Sequence, residues 1–314
     1  MKVIATIEEL QAQSRRWKRD GHVVALVPTM GALHSGHLSL VRAARRKEGD
    51  RQRRPRVVVS IFVNPLQFGP NEDYGRYPRT LGTDLMLLER AGVDAVFHPS
   101  VDEMYPAGFD TQVKAGAVAG PLEGRARPGH FDGVATVVAR LLGAAIADRA
   151  YFGQKDAQQL AVIRRMVRDL AIPVEIIGCP TVRESDGLAM SSRNRYLQGP
   201  DREHALALVT ALAEAQGLYR EGIHKTAQLE AAMRQVLASV PGVVVEYARI
   251  VDPATFEPPA AGGEGLALIA ARIGPARLID NASLASGDVL AHRRARPVGR
   301  HRAQPRKETH AWNA

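Results

Sequence analysis

Short apolar, β-branched runs that alternate with helix-length amphipathic segments constrain this chain more than any other feature of its sequence. His22–Val27, Val57–Val63, Ala95–Phe97, Ala150–Phe152 and Val174–Ile177 read as buried strands, the first two stopped by Pro28 and by Asn64-Pro65. Leu38–Arg46, Leu81–Ala91, Val134–Ala147 and Asp156–Leu170 carry apolar residues at helical spacing. This alternation predicts a parallel sheet covered by helices on both faces, with ligands bound at the carboxyl ends of its strands.

The pattern changes after about residue 182, where helices over 202–219 and 226–238 precede strands over 243–251 and 266–273. Helices grouped ahead of strands suggest a small α+β unit. The expected fold class is therefore α/β: a Rossmann-like doubly wound parallel-sheet domain over 1–181, a smaller α+β lid domain over 182–290, and a basic tail over 291–314. A length of 314 residues suits two domains.

A net charge of +9 would ordinarily suggest nucleic acid or an anionic surface, but its distribution argues otherwise. Residues 45–56 contribute +5 and residues 292–314 contribute +6, which leaves −2 for the rest. Both basic stretches are Arg- and Pro-containing and poor in apolar residues, so they read as a solvated loop and a disordered tail. No specific nucleic-acid partner is expected. No run approaches eighteen apolar residues, and the acidic Glu8 and Glu9 argue against a secretory signal, so neither a membrane span nor export is expected. The lone Cys179 cannot form an internal disulfide and fits a reducing, cytoplasmic setting.

The sharpest local signal is Pro28-Thr29-Met30-Gly31-Ala32-Leu33-His34-Ser35-Gly36-His37, running from the end of the first strand into the first helix. Composition gives roughly 0.03 chance occurrences of His-x-Gly-His, so the match is informative. Gly36 lets backbone approach a bulky anion, the helix start favours negative charge, and two imidazoles three residues apart can face one phosphate. Capping or surface histidines are the bland alternative. Gly153-Gln154-Lys155-Asp156 follows another strand, so Lys155 stands at the same sheet edge to neutralise phosphate and Asp156 is placed to cap the next helix. Gln159 lies in that helix's first turn. Met190-Ser191-Ser192-Arg193 offers hydroxyls and a guanidinium fork suited to triphosphate, and Gln67 follows the second strand. Each of these three is weak alone; their convergence on one sheet edge suggests an ATP site with glutamines available for a small polar substrate.

In these motifs the sequence resembles the pantoate–β-alanine ligase (pantothenate synthetase) family. The likeness spans about residues 3–285 through seven ordered stretches: PTMGALHSGH, SIFVNPLQF, RYPRTL, LEGRARPGHFDGV, YFGQKDAQQL, DGLAMSSRN and RLIDN. The resemblance implies a cytoplasmic ligase of pantothenate biosynthesis, on the coenzyme A pathway. It would join (R)-pantoate to β-alanine through a pantoyl adenylate, with release of AMP and diphosphate. It implies that Met30, Gly31, Ala32, Leu33, His34, Ser35, Gly36 and His37 line the ATP site, with His37 as proton donor and His34 holding phosphates. Gly153, Gln154, Lys155, Asp156, Met190, Ser191, Ser192 and Arg193 would complete that site, and Val182 would contact adenine through its backbone. Gln67 would serve both pantoate and β-alanine, and Gln159 pantoate. Mg²⁺ is expected on the ATP phosphates, with no dedicated protein ligands, and a homodimer is the family's usual state.

The chemistry fits: imidazolium, ammonium and guanidinium groups would stabilise charge that grows at the α-phosphate and the departing diphosphate. Catalysis is assigned to His37, His34, Lys155 and Arg193, with no protein nucleophile; Cys179, embedded in a strand, is a poor candidate. Pro121–Gly133, with Glu123, Arg127 and His130, is expected to act as a lid over the acyl adenylate. Gln154 stands where family members often carry Glu, and Asp84 is the one acid where some relatives have two, which makes a metal role for it doubtful. The rival enzyme class is a nucleotidylyltransferase, which would leave AMP on its product; a nucleic-acid-binding module built on the arginine-rich stretches is the rival outside enzymes.

Overall fold

A computed structural model describes residues 1–46, 54–70, 74–260 and 263–289. Strands β1 (Lys2–Ile4), β2 (Val24–Thr29), β3 (Arg56–Ile61), β4 (Ala95–Phe97), β5 (Arg149–Gly153) and β6 (Glu175–Cys179) form one sheet in the order β1-β4-β3-β2-β5-β6, with every pairing parallel. Side chains alternate across it as strand geometry requires. Val24, Leu26, Val58, Ala95, Phe97, Ala150 and Phe152 pack with helices Ile7–Arg19, His130–Ala145 and Ala157–Asp169. Ala25, Val27, Val57, Val59, Val96 and Tyr151 face the opposite way, onto helices Ser35–Ala44 and Leu81–Arg90. Burial on both faces explains why these strands read as continuous apolar runs. The sheet is the Rossmann-like, doubly wound one expected.

The chain leaves β2 toward β3 on one side and later returns to β5 on the other, so strand order reverses at β2. Loops from the carboxyl ends of β2, β3 and β5 therefore open beside one another, the position where such sheets bind ligands.

A second, antiparallel sheet holds β7 (Val243–Val251), β8 (Leu266–Ile273) and β9 (Ala276–Ser283) in that order. Helices Leu206–Arg220 and Thr226–Ala238 cover one face through Leu208, Leu212, Leu229 and Met233 against Ile250, Ile269 and Leu278. On the other face Val251 and Leu268 join the apolar cluster of the parallel-sheet unit. Register shifts between Val245 and Tyr247, so Glu246 is an extra residue that re-aims its neighbours.

Two strands escape the sequence reading. β1 is three residues long and largely exposed, while β9 carries Arg277, Asp280 and Asn281, which lower its strand propensity. The basic stretch 45–56 is also not simply solvated. Arg45 donates to the carbonyls of Ala91 and Gly92, and Arg54 and Arg56 pair with Asp94 at 3.0 and 2.8 Å, which ties β3 to the start of β4. Residues 47–53 and the tail 291–314 lie outside the described residues. Among the described residues, no helix is long and apolar enough to cross a membrane.

Candidate active site

Where β2 ends, a hydrogen-bonded scaffold shapes the turn before the first histidine. The Thr29 hydroxyl donates to the Ser60 carbonyl at 2.7 Å and accepts from the Gly31 N–H at 3.2 Å. Ala32 is held at a φ of +49°, and its N–H and that of Leu33 both donate to the Asp84 carboxylate at 2.9 Å. Asp84 is 1% exposed and also accepts from the Thr80 hydroxyl, so its buried charge is spent on folding the turn. Ala32 and Leu33 are thus scaffold for the loop.

His34 sits at the N-cap of the helix Ser35–Ala44. Its Nδ1 accepts from the Gly36 N–H at 3.1 Å, and the His37 Nδ1 accepts from the His34 N–H at 3.3 Å, a capping box built from imidazoles. The structure shows the capping that the sequence offered as the bland alternative, made through Nδ1 of both rings. A Cβ at Gly36 would lie 2.8 Å from the His34 ring, so glycine is what lets the cap close. The ring centroids are 4.1 Å apart. Because each Nδ1 accepts, each neutral ring carries its proton on Nε2, the atom turned away from the helix backbone. Burial, His34 and the Lys155 charge lower the His37 pKa from 6.5 to about 3, and burial, Lys155 and Arg195 lower that of His34. Neutral imidazoles with Nε2–H donors therefore replace the imidazolium pair expected from sequence.

On the β3 side, the Gln67 amide donates to the Met30 sulfur at 3.1 Å and accepts from Asn64 Nδ2 at 3.1 Å. Asn64 is buried, bonded also to the Gly133 carbonyl and the Tyr105 hydroxyl. His130 donates from Nδ1 to the Gln67 carbonyl at 2.8 Å and accepts from Arg127 at 2.9 Å, so the 121–133 segment bears directly on Gln67. A Cβ on Gly133 would meet the Leu66 carbonyl oxygen at 2.1 Å, which shows how closely the helix His130–Ala145 is seated there.

On the β5 side lies a cavity of about 760 Å³ walled by both sheets' units. Lys155, Asp156, Gln159, Ser191 and Arg193 line it, facing Tyr247, Arg272 and Arg277. The Lys155 charge reaches both imidazoles, and the Ser35 hydroxyl donates to the Met190 sulfur at 2.8 Å, so the histidine turn and the 190–193 loop adjoin. Asp156 occupies the cap position of helix Ala157–Asp169 but makes no side-chain cap hydrogen bond, contrary to the sequence expectation. Gln158, the neighbour of Gln159, is buried and bonds the carbonyls of Val118 and Pro121 and the N–H of Glu123. Gly153 ends β5, and Gln154 is exposed; the Val182 carbonyl accepts from the Met190 N–H. Met30 to His37 and Val182 stand outside the cavity wall itself.

For several residues at the site, nothing in the sequence indicated the partners they take. Glu123, 7% exposed, is gripped by Arg277 at 2.6 and 2.8 Å and by the Tyr247 hydroxyl at 2.7 Å. Burial opposes its charge, but Arg277 and Tyr247 outweigh that and hold its carboxyl below the ordinary range. Burial and Glu123 together push the Tyr247 phenol up. Glu246 and Arg272 join the site from similarly distant positions, and the charge of Arg195, two residues past Arg193, acts on His34.

A family model described as Pantoate-beta-alanine ligase matches residues 2–283. Pantothenate synthetases of Koribacter versatilis and Thermotoga neapolitana are each 52% identical, over 90% of this chain and 95% and 100% of their own lengths. The crystal structure of pantothenate synthetase from Thermus thermophilus has a TM-score of 0.83 at 49% identity, covering 90% of this chain and 99% of that one. The pantoate-β-alanine ligase from Francisella tularensis, complexed with β-γ ATP and β-alanine, has a TM-score of 0.70 at 33% identity, covering 90% and 98%. Fold and likeness together define an ATP-dependent ligase on a Rossmann-like sheet. More particularly, the chain belongs to the pantoate–β-alanine ligase family, and its reaction is the ATP-dependent ligation of pantoate and β-alanine.

Proposed function

We propose that this ligation proceeds through a pantoyl adenylate held at the carboxyl edge of the parallel sheet. The (R)-pantoate carboxylate attacks the α-phosphorus of ATP and diphosphate departs; the β-alanine amine then attacks the acyl carbon, loses a proton, and AMP departs. The observation that carries this reading is a pair of neutral imidazoles, each with Nδ1 tied to the backbone, at a helix start next to the Lys155 charge. Their Nε2–H groups donate to phosphate oxygens that gain charge in the first step, while Lys155 and Arg193 neutralise the diphosphate. Donation from His37 is then a hydrogen bond from a neutral ring, strengthened as the anion docks and raises the ring's basicity.

Met30 to His37, Gly153 to Asp156, Val182 and Met190 to Arg193 surround the nucleotide in this reading. Gln67 serves both organic substrates, and Gln159, on the cavity wall, serves pantoate. Magnesium enters as part of the ATP substrate; among the described residues no three His, Cys, Asp or Glu side chains cluster to hold a cation, and Asp84 is committed to Ala32 and Leu33. Residues 1–181 act as the ATP- and pantoate-binding domain, while 182–290 and the 121–133 segment close over the acyl adenylate and keep water out. A cytoplasmic homodimer is the assembly we assign. AMP release that requires both pantoate and β-alanine is the expected assay result. A stable AMP-linked product, formed with no response to β-alanine, would instead make the chain a nucleotidylyltransferase.

A further inference from the structure

The groups assigned to the phosphates, Lys155 and Arg193, lie on separate loops, and β9 of the second sheet reaches toward both. Asn281 is 7% exposed, and its Nδ2 donates to the carbonyls of Gln154 at 3.0 Å and Lys155 at 2.7 Å. Those carbonyls belong to the 3-10 turn Gln154–Asp156, which has no side-chain cap of its own. Asn281 therefore supplies an external donor to that turn.

The neighbouring Asp280, 1% exposed, receives Arg183 through two hydrogen bonds of 2.7 and 3.1 Å and accepts from the Asn281 N–H at 2.8 Å. Arg183 also donates to the carbonyls of Gly187 and Asn281. It starts the hairpin, bridged between Arg183 and Ala189, that leads into Met190–Arg193. One dipeptide on β9 thus fixes the turn bearing Lys155 on one side and the hairpin before Arg193 on the other. Its place in the RLIDN stretch gave no hint of that contact.

We propose that Asn281 is a positioning residue for adenylation, setting the place of the Lys155 ammonium while Asp280 and Arg183 anchor it to the arginine loop. A side chain that directs two backbone carbonyls cannot contribute charge of its own to the reaction. It contributes orientation, and a displacement of about 1 Å in such a site costs on the order of 100-fold in rate. The inference rests on the proposed role of Lys155 in adenylation.

The test is pantoate-dependent ATP–diphosphate exchange by Asn281→Ala, read well below its melting temperature, with the unaltered chain in parallel. Expected is a fall of about 10- to 100-fold in kcat/KM for ATP, with KM for β-alanine in the complete reaction within about twofold of normal. In a Lys155→Ala background the same change should cost less than about twofold more, because its effect passes through Lys155. Normal exchange by a folded Asn281→Ala protein, or an undiminished penalty in that background, would overturn the proposal. If Asn281→Ala fails to fold, Asn281→Ser, which keeps one short donor, is read against the same criteria. No exchange by the unaltered chain would remove the adenylation reading itself, and the proposal with it.

Discussion

The histidine turn and the cavity wall that faces it are built in opposite ways. From Thr29 to His37, the turn is held by three hydrogen bonds within nine residues of chain and by three more to Ser60 and Asp84, no more than 52 residues away. The opposing wall depends on contacts across far longer separations: Glu123 with Arg277, 154 residues away, and Asn281 with Lys155, 126 residues away. The first can organise within the parallel-sheet unit, where β3 and the helix Leu81–Arg90 supply its outside partners. The second exists only once the antiparallel sheet has docked. In the proposed reading the imidazole donors therefore belong to the first element, while the second positions and closes the cavity that Lys155 and Arg193 line.

The largest effect should follow from breaking that division on its chemical side. Lys155→Ala or His37→Ala is expected to lower kcat for pantothenate formation by about 10²–10³-fold, as loss of one preorganised charge-stabilising donor does elsewhere. Arg277→Gln, on the opposite wall, should lower it by less than about tenfold. Steady-state assays of the folded variants decide the matter. Equal losses from both sides would mean that the wall takes part in the chemistry.

Stability should reverse the ranking. Glu123 and Arg277 have side chains only 9% and 19% exposed, so removal of one partner leaves a charge with little water to receive it. Arg277→Gln is expected to cost about 3 kcal/mol, at the low end for a buried pair because the Tyr247 hydroxyl still serves Glu123. Denaturant unfolding measures it. Replacing Glu123 by Gln in the same protein should recover part of the loss; no recovery would show that the pair is not what ties the segment to the sheet.

That contrast also explains what the sequence made legible. Parallel strands buried on both faces announce themselves as runs such as VVVSIFV, and His-x-Gly-His spacing survives because its bonds are local. β9 was illegible because Asp280 and Asn281 are buried, and Arg277 half-buried, through specific partners, and partners across 97 to 154 residues leave no periodicity. The neutral state that the fold favours for the histidines was not legible for a related reason. Residue type suggested imidazolium, whereas burial and the nearby Lys155, both products of the folded sheet edge, favour the neutral form. Arg45, Arg54 and Arg56 were misjudged as solvent-facing because their acceptors, Ala91, Gly92 and Asp94, lie beyond the helix Leu81–Arg90.

The smallest effect is a pH dependence that sharpens the local half of the comparison. His37 titrates near 6.5 when unfolded and near 3 in the folded chain. Between those values the unfolded state binds the extra proton, so acid favours unfolding: the stabilising contribution is complete above pH 6.5 and is lost as pH falls toward 3. His37→Asn keeps an oxygen able to accept from the His34 N–H but cannot titrate, which isolates the effect. The unaltered chain should lose stability more steeply than this variant as pH drops from 6 to 4, by at most about 1.4 kcal/mol per pH unit. His34 titrates in both proteins and largely cancels. Parallel stability–pH curves would show that the folded ring accepts its proton as readily as the unfolded one. In that case burial and the neighbouring Lys155 charge would not be what keeps the His37 ring neutral.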